Sequence, residues 1–478
     1  MLSEISDILG NFRNCFSRTA SFNNFVMIVF GLIIRYDFHG VTSFIRCLGV
    51  CPDYYESVLA LFRSRSFQLE SITRCWIRIV AKFSNLPVIN GCLLVIQDGV
   101  KVAKEARRMP GVKALHQESE NSGKPSRFFG HHFGVIGILI GNIHSKMVCV
   151  PLIAEAHEGV KELRELQKKA PPIVDGKEKV TIVTLMTLLA CKAVLYLNRP
   201  AMLIADAGYV SGEIFKMAKA FCENGRYLGI ITKGKTTFVG YRERLVDNRK
   251  KSGFSFRKSV RLFDLLATRA NDFTTVTLPV YGKDTTLSYL CIDLYWKPFG
   301  DKIRFVLVKF SNNNVILLMC SNLNWLPIDI IRAYSYRFKI EVTFKNLKHQ
   351  IGSFCYHFWT SAMPKLRRDY VPVLASLPAK SKARIEQAFT AIEIFVNLSC
   401  IATGTLQILA IYSPSAVWNR YAGWLRTVRS DIPSEETVRR TVQHSFFFDF
   451  GSFKHTLLYR VIGPKRRNGY LYEDRRIA

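Results

Sequence analysis

The chain has 478 residues, 49% hydrophobic and 22% charged, with 67 lysines and arginines against 37 acids and a formal net charge of +30. That balance excludes a largely disordered chain and leaves length for two to four packed domains. An excess of positive charge on this scale repels itself unless a polyanion neutralises it, so DNA or RNA is the expected partner, against a basic surface that only confers solubility.

The opening residues, MLSEISDILGNF, lack the basic-then-apolar pattern of a signal peptide. Residues 1–85 carry apolar side chains at helical spacing with little proline, and FVMIVFGLII (25–34) is too short to span a bilayer. Within this region 40–64 reads as two helices joined at Gly49, the second starting at Pro52 and Asp53. Helix-turn-helix DNA readers share that outline, and so do many packed helix pairs.

From residue 86 the pattern changes. CLLVIQDG (92–99) is a buried strand ending in an acid and a glycine; FGVIGILIG (133–141) and KMVCVPLIAEA (146–156) form an antiparallel pair after the polar loop 116–126. A helix over 181–197 leads into the strand AMLIADAGY (201–209), a helix over 212–225 and the strand YLGIITKG (227–234). Strands at 274–282, 286–296 and 302–310 follow, with a basic run from Arg242 to Arg261 before them. A helix near 328–350 comes next, then further helix over 380–440 and a basic tail, GPKRRNGYLYEDRRIA. The uncharged stretch 394–412 is long enough to cross a membrane, but five polar side chains dilute it, and a buried helix is expected. No internal repeat is visible.

These elements describe an α/β protein in five parts: a helical N-terminal DNA-binding region (1–85), a mixed-sheet core (86–234), a β-rich insertion (235–325), the rest of the core (326–375) and a helical C-terminal region with a basic tail (376–478). The twelve cysteines contain no C-x-x-C pair and no partnered histidine cluster, which argues against zinc and for buried reduced thiols.

Three acids stand out. Asp98 and Asp206 each close an apolar strand at an expected turn, where α/β sheets present side chains at their rim. Glu341 shares a helical stripe with Tyr334, Arg337 and Lys348; at roughly 100° per residue the four fall within an arc of about 60°. Brought together, three carboxylates offer hard oxygen ligands suited to Mg²⁺ or Mn²⁺. Taken singly, a D-G pair is often only a turn, and a helical glutamate among bases is often an ion-pair partner.

Tyr334-x2-Arg337-x3-Glu341-x6-Lys348 resembles the Y-R-E-K signature of bacterial insertion-sequence transposases of the DDE type. ADAGY around Asp206 and VIQDG around Asp98 resemble the segments that carry that family's second and first catalytic acids, and the order Asp, Asp, Glu with a β-rich insertion before the Glu also matches. The resemblance spans roughly 40–400 and implies an RNase H-like core interrupted by the insertion. Asp98, Asp206 and Glu341 would hold two Mg²⁺ or Mn²⁺ ions, and Tyr334, Arg337 and Lys348 would contact phosphates near a transposon end. It further implies cutting of double-stranded DNA at the element's ends, joining of the freed 3′-hydroxyl to target DNA, a homodimer in the synaptic complex, and residence in a bacterial cytoplasm at the nucleoid rather than in a membrane. Related transposases stack a tryptophan of the insertion on an extruded base; Trp296 in DLYWKPFG is the candidate, with core packing as the competing reading. His131 and His132 are expected to face phosphate or support the fold rather than ligate metal. A nuclease of the same fold without strand transfer and a non-catalytic DNA-binding regulator are the alternatives.

Overall fold

The computed structural model describes all residues except 83–85, 117–125, 143–145, 158–160, 251–252, 368–372, 426–430 and 468–478; most of the polar loop 116–126 and of the C-terminal tail therefore lies outside the described residues. Five helices open the chain: α1 (Leu2–Gly10), α2 (Thr19–Ile34), α3 (Gly40–Leu48), α4 (Tyr54–Ala60) and α5 (Leu69–Ala81). α2 is buried without interruption from Asn24 to Ile34, because it packs against α3 and against helices from the far end of the chain. α3 stops at Gly49, whose φ of 67° is the left-handed conformation that a glycine adopts without a Cβ penalty. The expected pair of helices is thus present. Its second member, α4, turns Glu56 and Ser57 outward and carries no basic residue, and α3 exposes Thr42 and Arg46, the latter bound to Asp37.

The sheet follows. β1 (Cys92–Ala103), β2 (Arg127–Gly141) and β3 (Met147–Ala156) are antiparallel neighbours; α6 (Ile182–Leu197) then crosses to β4 (Ala201–Ala205), and α7 (Gly212–Glu223) to β5 (Leu228–Lys233). β4 lies parallel to both β1 and β5. The order across this part is β3-β2-β1-β4-β5. The next six strands are β6 (Val239–Val246), β7 (Phe254–Arg261), β8 (Thr274–Val280), β9 (Lys283–Trp296), β10 (Asp301–Phe310) and β11 (Val315–Cys320). The sequence suggests an insertion that interrupts the core; the structure joins it to the core sheet, since β11 pairs with β5 through Leu318↔Lys233, Met319↔Thr232 and Cys320↔Ile231. β5 would otherwise end the core with a row of unpaired backbone groups, and β11 covers them. One mixed sheet of thirteen strands results among the described residues.

The opposite edge, β3, is covered by side chains instead of a strand. Trp76 donates to the Pro151 carbonyl (2.9 Å) and Thr343 to that of Cys149 (2.6 Å). Asn397 both accepts from the Ala154 amide (3.0 Å) and donates to its carbonyl (2.8 Å), and Glu393 accepts from the Ala156 amide (3.2 Å). Asn397 and Glu393 belong to a long helix described below; each satisfies backbone groups that burial would otherwise leave unpaired.

α8 (Pro327–Ser335), α9 (Lys339–Asn346), α10 (Ala379–Tyr412) and α11 (Glu435–Asp449) complete the main elements. α10 has the length and hydropathy of a membrane span, yet 94% of its most apolar window is buried inside the protein. Ser399, Thr403 and Thr405 donate back to carbonyls four residues earlier, and the Gln407 amide nitrogen reaches Thr343 and Glu435. The expectation of a buried core helix matches this arrangement.

Candidate active site: three carboxylates around one arginine

Asp98 lies on β1 at the point where its neighbour ends. Ile96 pairs with Ile204 on adjacent strands about 4.8 Å apart, and Asp98 and Asp206 each lie two residues further on. β4 stops at Ala205, and Asp206 begins a 3₁₀ turn over Ala207–Tyr209. β1 does not stop: it runs to Ala103 because β2 continues to pair with it, Ala103 opposite Gly130. The strand end and turn expected at Asp98–Gly99 are therefore absent. Gly99 answers a different demand. A Cβ there would lie 2.6 Å from the Tyr209 hydroxyl and closer still to His132, so the glycine lets the segments VIQDG and ADAGY interlock.

The third acid comes from a helical segment broken twice. α8 ends at Ser335, a 3₁₀ turn covers Tyr336–Phe338, α9 carries Glu341, and a π-helical turn over Leu347–Ile351 carries Lys348. The expected single helix is thus three winding types in succession. Tyr334 and Arg337 still reach the acids. Lys348 is exposed seven residues beyond Glu341, about 10 Å further along the axis. The far end of the segment is tied to the N-terminal helices by Arg35, a buried guanidinium that donates to the Ile351 and Gly352 carbonyls.

Arg337 sits among the three carboxylates. Its Nη1 is 3.1 Å from Asp98 Oδ2, its Nη2 2.5 Å from Glu341 Oε1 and its Nε 3.9 Å from Asp206 Oδ1. The Tyr334 hydroxyl donates to Asp206 Oδ1 at 3.4 Å, and the Gly99 amide donates to Asp98 Oδ1 at 2.8 Å. Exposure rises across the cluster, from 18% for the Asp98 side chain through 42% for Asp206 to 56% for Glu341.

Three negative charges against one positive leave a deficit, and Asp98, the most buried acid, shows it. Burial pushes its pKa up to about 6; the Gly99 amide and Arg337 pull it down, while the charges of Asp206 and Glu341 add to the rise. Burial works against the Arg337 cation, but Asp206 and Asp98 hold its pKa above the ordinary arginine value. Burial likewise raises Tyr334, with Asp206 contributing, so its phenol stays protonated and acts as a donor.

In chemistry the donor set fits a hard divalent cation: carboxylate oxygens on rigid elements, one of them lacking full counter-charge. As they stand, no three His, Cys, Asp or Glu side chains among the described residues are arranged to hold a metal, and Arg337 occupies the space between these acids.

One expectation from the sequence meets a different structure, and one of the two roles expected of the histidines is found. Trp296 is buried to 3% exposure, packed between Phe215 (centroids 5.6 Å) and Phe238 (5.3 Å), so its ring belongs to the seam between insertion and core and is not free to stack on a base. His131 is a structural residue: its ring nitrogens contact the Tyr356 hydroxyl (2.7 Å) and the Pro110 carbonyl (2.8 Å), and burial lowers its pKa to about 4. His132 is also buried, edge-on to His157. The ring of Phe338, beside Arg337, packs 6.2 Å from that of Tyr281 on the β8–β9 turn. The strand expected over 274–282 runs through Tyr281 and Gly282, which the structure places in the two-residue turn between Val280 and Lys283.

No protein-family model and no curated protein matches the chain. A solved structure of a piggyBac transposase synaptic complex with hairpin DNA aligns over 96% of this chain and 75% of its own, at 10% identity and a TM-score of 0.39, a likeness too slight to assign a family or a function.

Proposed function

We propose that the chain is a DNA transposase of the DDE type whose active site is the cluster of Asp98, Asp206 and Glu341. The observation that carries this reading is their convergence: three acids from segments more than a hundred residues apart meet around one arginine within 4 Å of its nitrogens. The order β3-β2-β1-β4-β5, with β2 antiparallel and acids on β1, after β4 and on a later helix, supports an RNase H-like core. A net charge of +30 suits a polyanionic substrate.

In this reading the three carboxylates would hold two Mg²⁺ or Mn²⁺ ions, which would supply activation of the attacking oxygen and stabilisation of the leaving one in phosphodiester displacement. Arg337 is the counter-ion of the DNA-free state. When DNA enters, its planar guanidinium moves from carboxylates to the phosphate, a partner it can grip through two parallel hydrogen bonds. Tyr334 orients Asp206 through its hydroxyl and forms no covalent link to DNA. Lys348 adds a point charge for the backbone further along the strand. Water cuts first and frees a 3′-hydroxyl; that hydroxyl then attacks target DNA in the same way.

Incubating the protein and Mg²⁺ with a donor DNA that carries the segments flanking its gene, together with a target plasmid, tests the reading. Joined donor–target products are expected. Cleavage without joining would indicate a nuclease of this fold, and binding with neither would indicate a regulator.

A further inference from the structure

We propose that the cleft between α5, α6 and α10 is a docking groove for an acidic amphipathic helix of a partner protein. It shares no lining residue with the carboxylate cluster, so its occupant is independent of the function proposed above.

The cleft has a volume of about 1170 Å³ and a floor rich in leucine. Along α6, Leu185, Leu188, Lys192 and Leu195 line it at intervals of three, four and three residues, which is one stripe of a helix about 15 Å long. Leu195 is 44% exposed, and Leu185 and Leu188 are only partly buried, so the stripe stays open to solvent. Apolar side chains at this spacing are what one helix offers to another.

The rim is positive. Arg63 and Arg65 precede α5, Lys168 follows the helical turn Lys161–Leu166, and Lys380 and Arg384 open α10. All five are exposed, and none makes an ion pair or a side-chain hydrogen bond among the described residues. The acids lining the cleft are engaged elsewhere. Glu70 is bound by Lys192 (3.2 Å), and Glu155 and Glu393 by Arg164 and Lys169, which leaves Glu386 beside the five. Like charges gathered on one rim repel each other until an anionic partner neutralises them.

Two kinds of polyanion suit that charge. A nucleic-acid backbone would meet the cations but lay ionised phosphates on leucine, where a charge is costly to desolvate. A helix with large apolar residues on one face and glutamates or aspartates along its flanks satisfies floor and rim together. Its dimensions agree, because a helix with its side chains is about 10 Å across and a 15 Å length of it occupies about 1200 Å³. With 67 bases against 37 acids, a second copy of this chain is a poor source of the complementary face.

Fluorescence anisotropy of the full chain with three labelled helical peptides of about 14 residues tests the assignment. The first peptide carries leucines on one face and glutamates elsewhere; the second has lysine for each glutamate; the third has alanine for each leucine. Saturable binding of the first is expected, about tenfold or more tighter than either of the others. Leu195→Asp, and Lys380→Glu combined with Arg384→Glu, should each weaken it about tenfold or more while melting within about 2 °C of wild type, since only exposed side chains change. Three results would overturn the assignment: equal binding of the peptide without leucines, no saturation by the first peptide up to about 1 mM, or undiminished affinity in both variants. A DNA duplex that displaces the first peptide, and itself binds about tenfold less tightly to both variants, would give the groove to nucleic acid instead. Self-association of the wild type that both variants abolish would give it to a second copy.

Discussion

Two charge clusters lie along the same sheet, and their bookkeeping differs. On the β3 side, Glu155 and Glu393 meet Arg164 and Lys169: Arg164 is 2.5 Å from Glu155, and Lys169 is 2.8 Å from Glu393 and 3.7 Å from Glu155. Gln167 and the Ala156 amide complete the shell of Glu393. Two acids face two bases, and Arg164 and Glu393 are both buried. Although burial opposes it, the nearby Lys169 and Arg164 hold the Glu155 pKa below the ordinary range. At the other cluster three acids share Arg337, and the innermost acid is raised rather than lowered. Balanced charge glues α10 to the edge of the sheet; the unbalanced charge at the half-open rim is, in the proposed reading, what a metal ion would neutralise.

The largest effects should separate the clusters by function. Asp98→Asn, Asp206→Asn and Glu341→Gln are each expected to reduce strand joining by about a thousandfold or more, because each removes an oxygen that would hold metal. The exposed Glu341→Gln should leave Tm within about 1–2 °C of wild type. Glu393→Ala should do the opposite. It leaves the Ala156 amide unpaired and Lys169 with only its longer contact to Glu155 in a buried seam, and a loss of about 3–5 kcal/mol in denaturant unfolding is expected. Joining activity per folded molecule should be unchanged.

A subtler contrast concerns pH. The folded-state pKa of Asp98 is raised to about 6, so the folded protein holds a proton that the unfolded chain has released between about pH 4 and 6. Stability attributable to this residue is therefore full below about pH 4 and is lost as pH rises through 6. Asp98→Asn should accordingly be more stable than wild type at pH 8, by about 1–3 kcal/mol, and indistinguishable from it near pH 4. Paired urea titrations at the two pH values check this, and a stabilisation independent of pH would remove the charge deficit as its cause. The smallest effect expected is at Lys348. Lys348→Ala should lower DNA affinity across sequences and reduce the slope of log affinity against log salt by about 1.

Much of this site was legible from sequence because its signals are local. An apolar run closing on an acid placed Asp98 and Asp206 on strands, and the intervals 334, 337, 341 and 348 placed the rest on one helical stripe. What escaped depended on partners distant in sequence. β1 continues past Asp98 because β2 pairs with it, and nothing within VIQDGVKVA states that. A period near 3.6 does not distinguish an α-helix from one interrupted by 3₁₀ and π turns, so the breaks at 336 and 347 were invisible. Trp296 looked available because the burial that removes it is supplied by Phe215 on α7 and by Phe238. The insertion read as separate because its last strand pairs with β5, some eighty residues earlier.

The central claim is that Asp98, Asp206 and Glu341 form one metal-binding centre in spite of their distance in sequence. Mn²⁺ titration followed by electron paramagnetic resonance, on the DNA-bound protein and on each of the three single variants, addresses it most directly. Saturable binding in wild type, lost or severely weakened in Asp98→Asn, Asp206→Asn and Glu341→Gln alike, is the predicted result. Mn²⁺ binding that is unchanged in all three would contradict it.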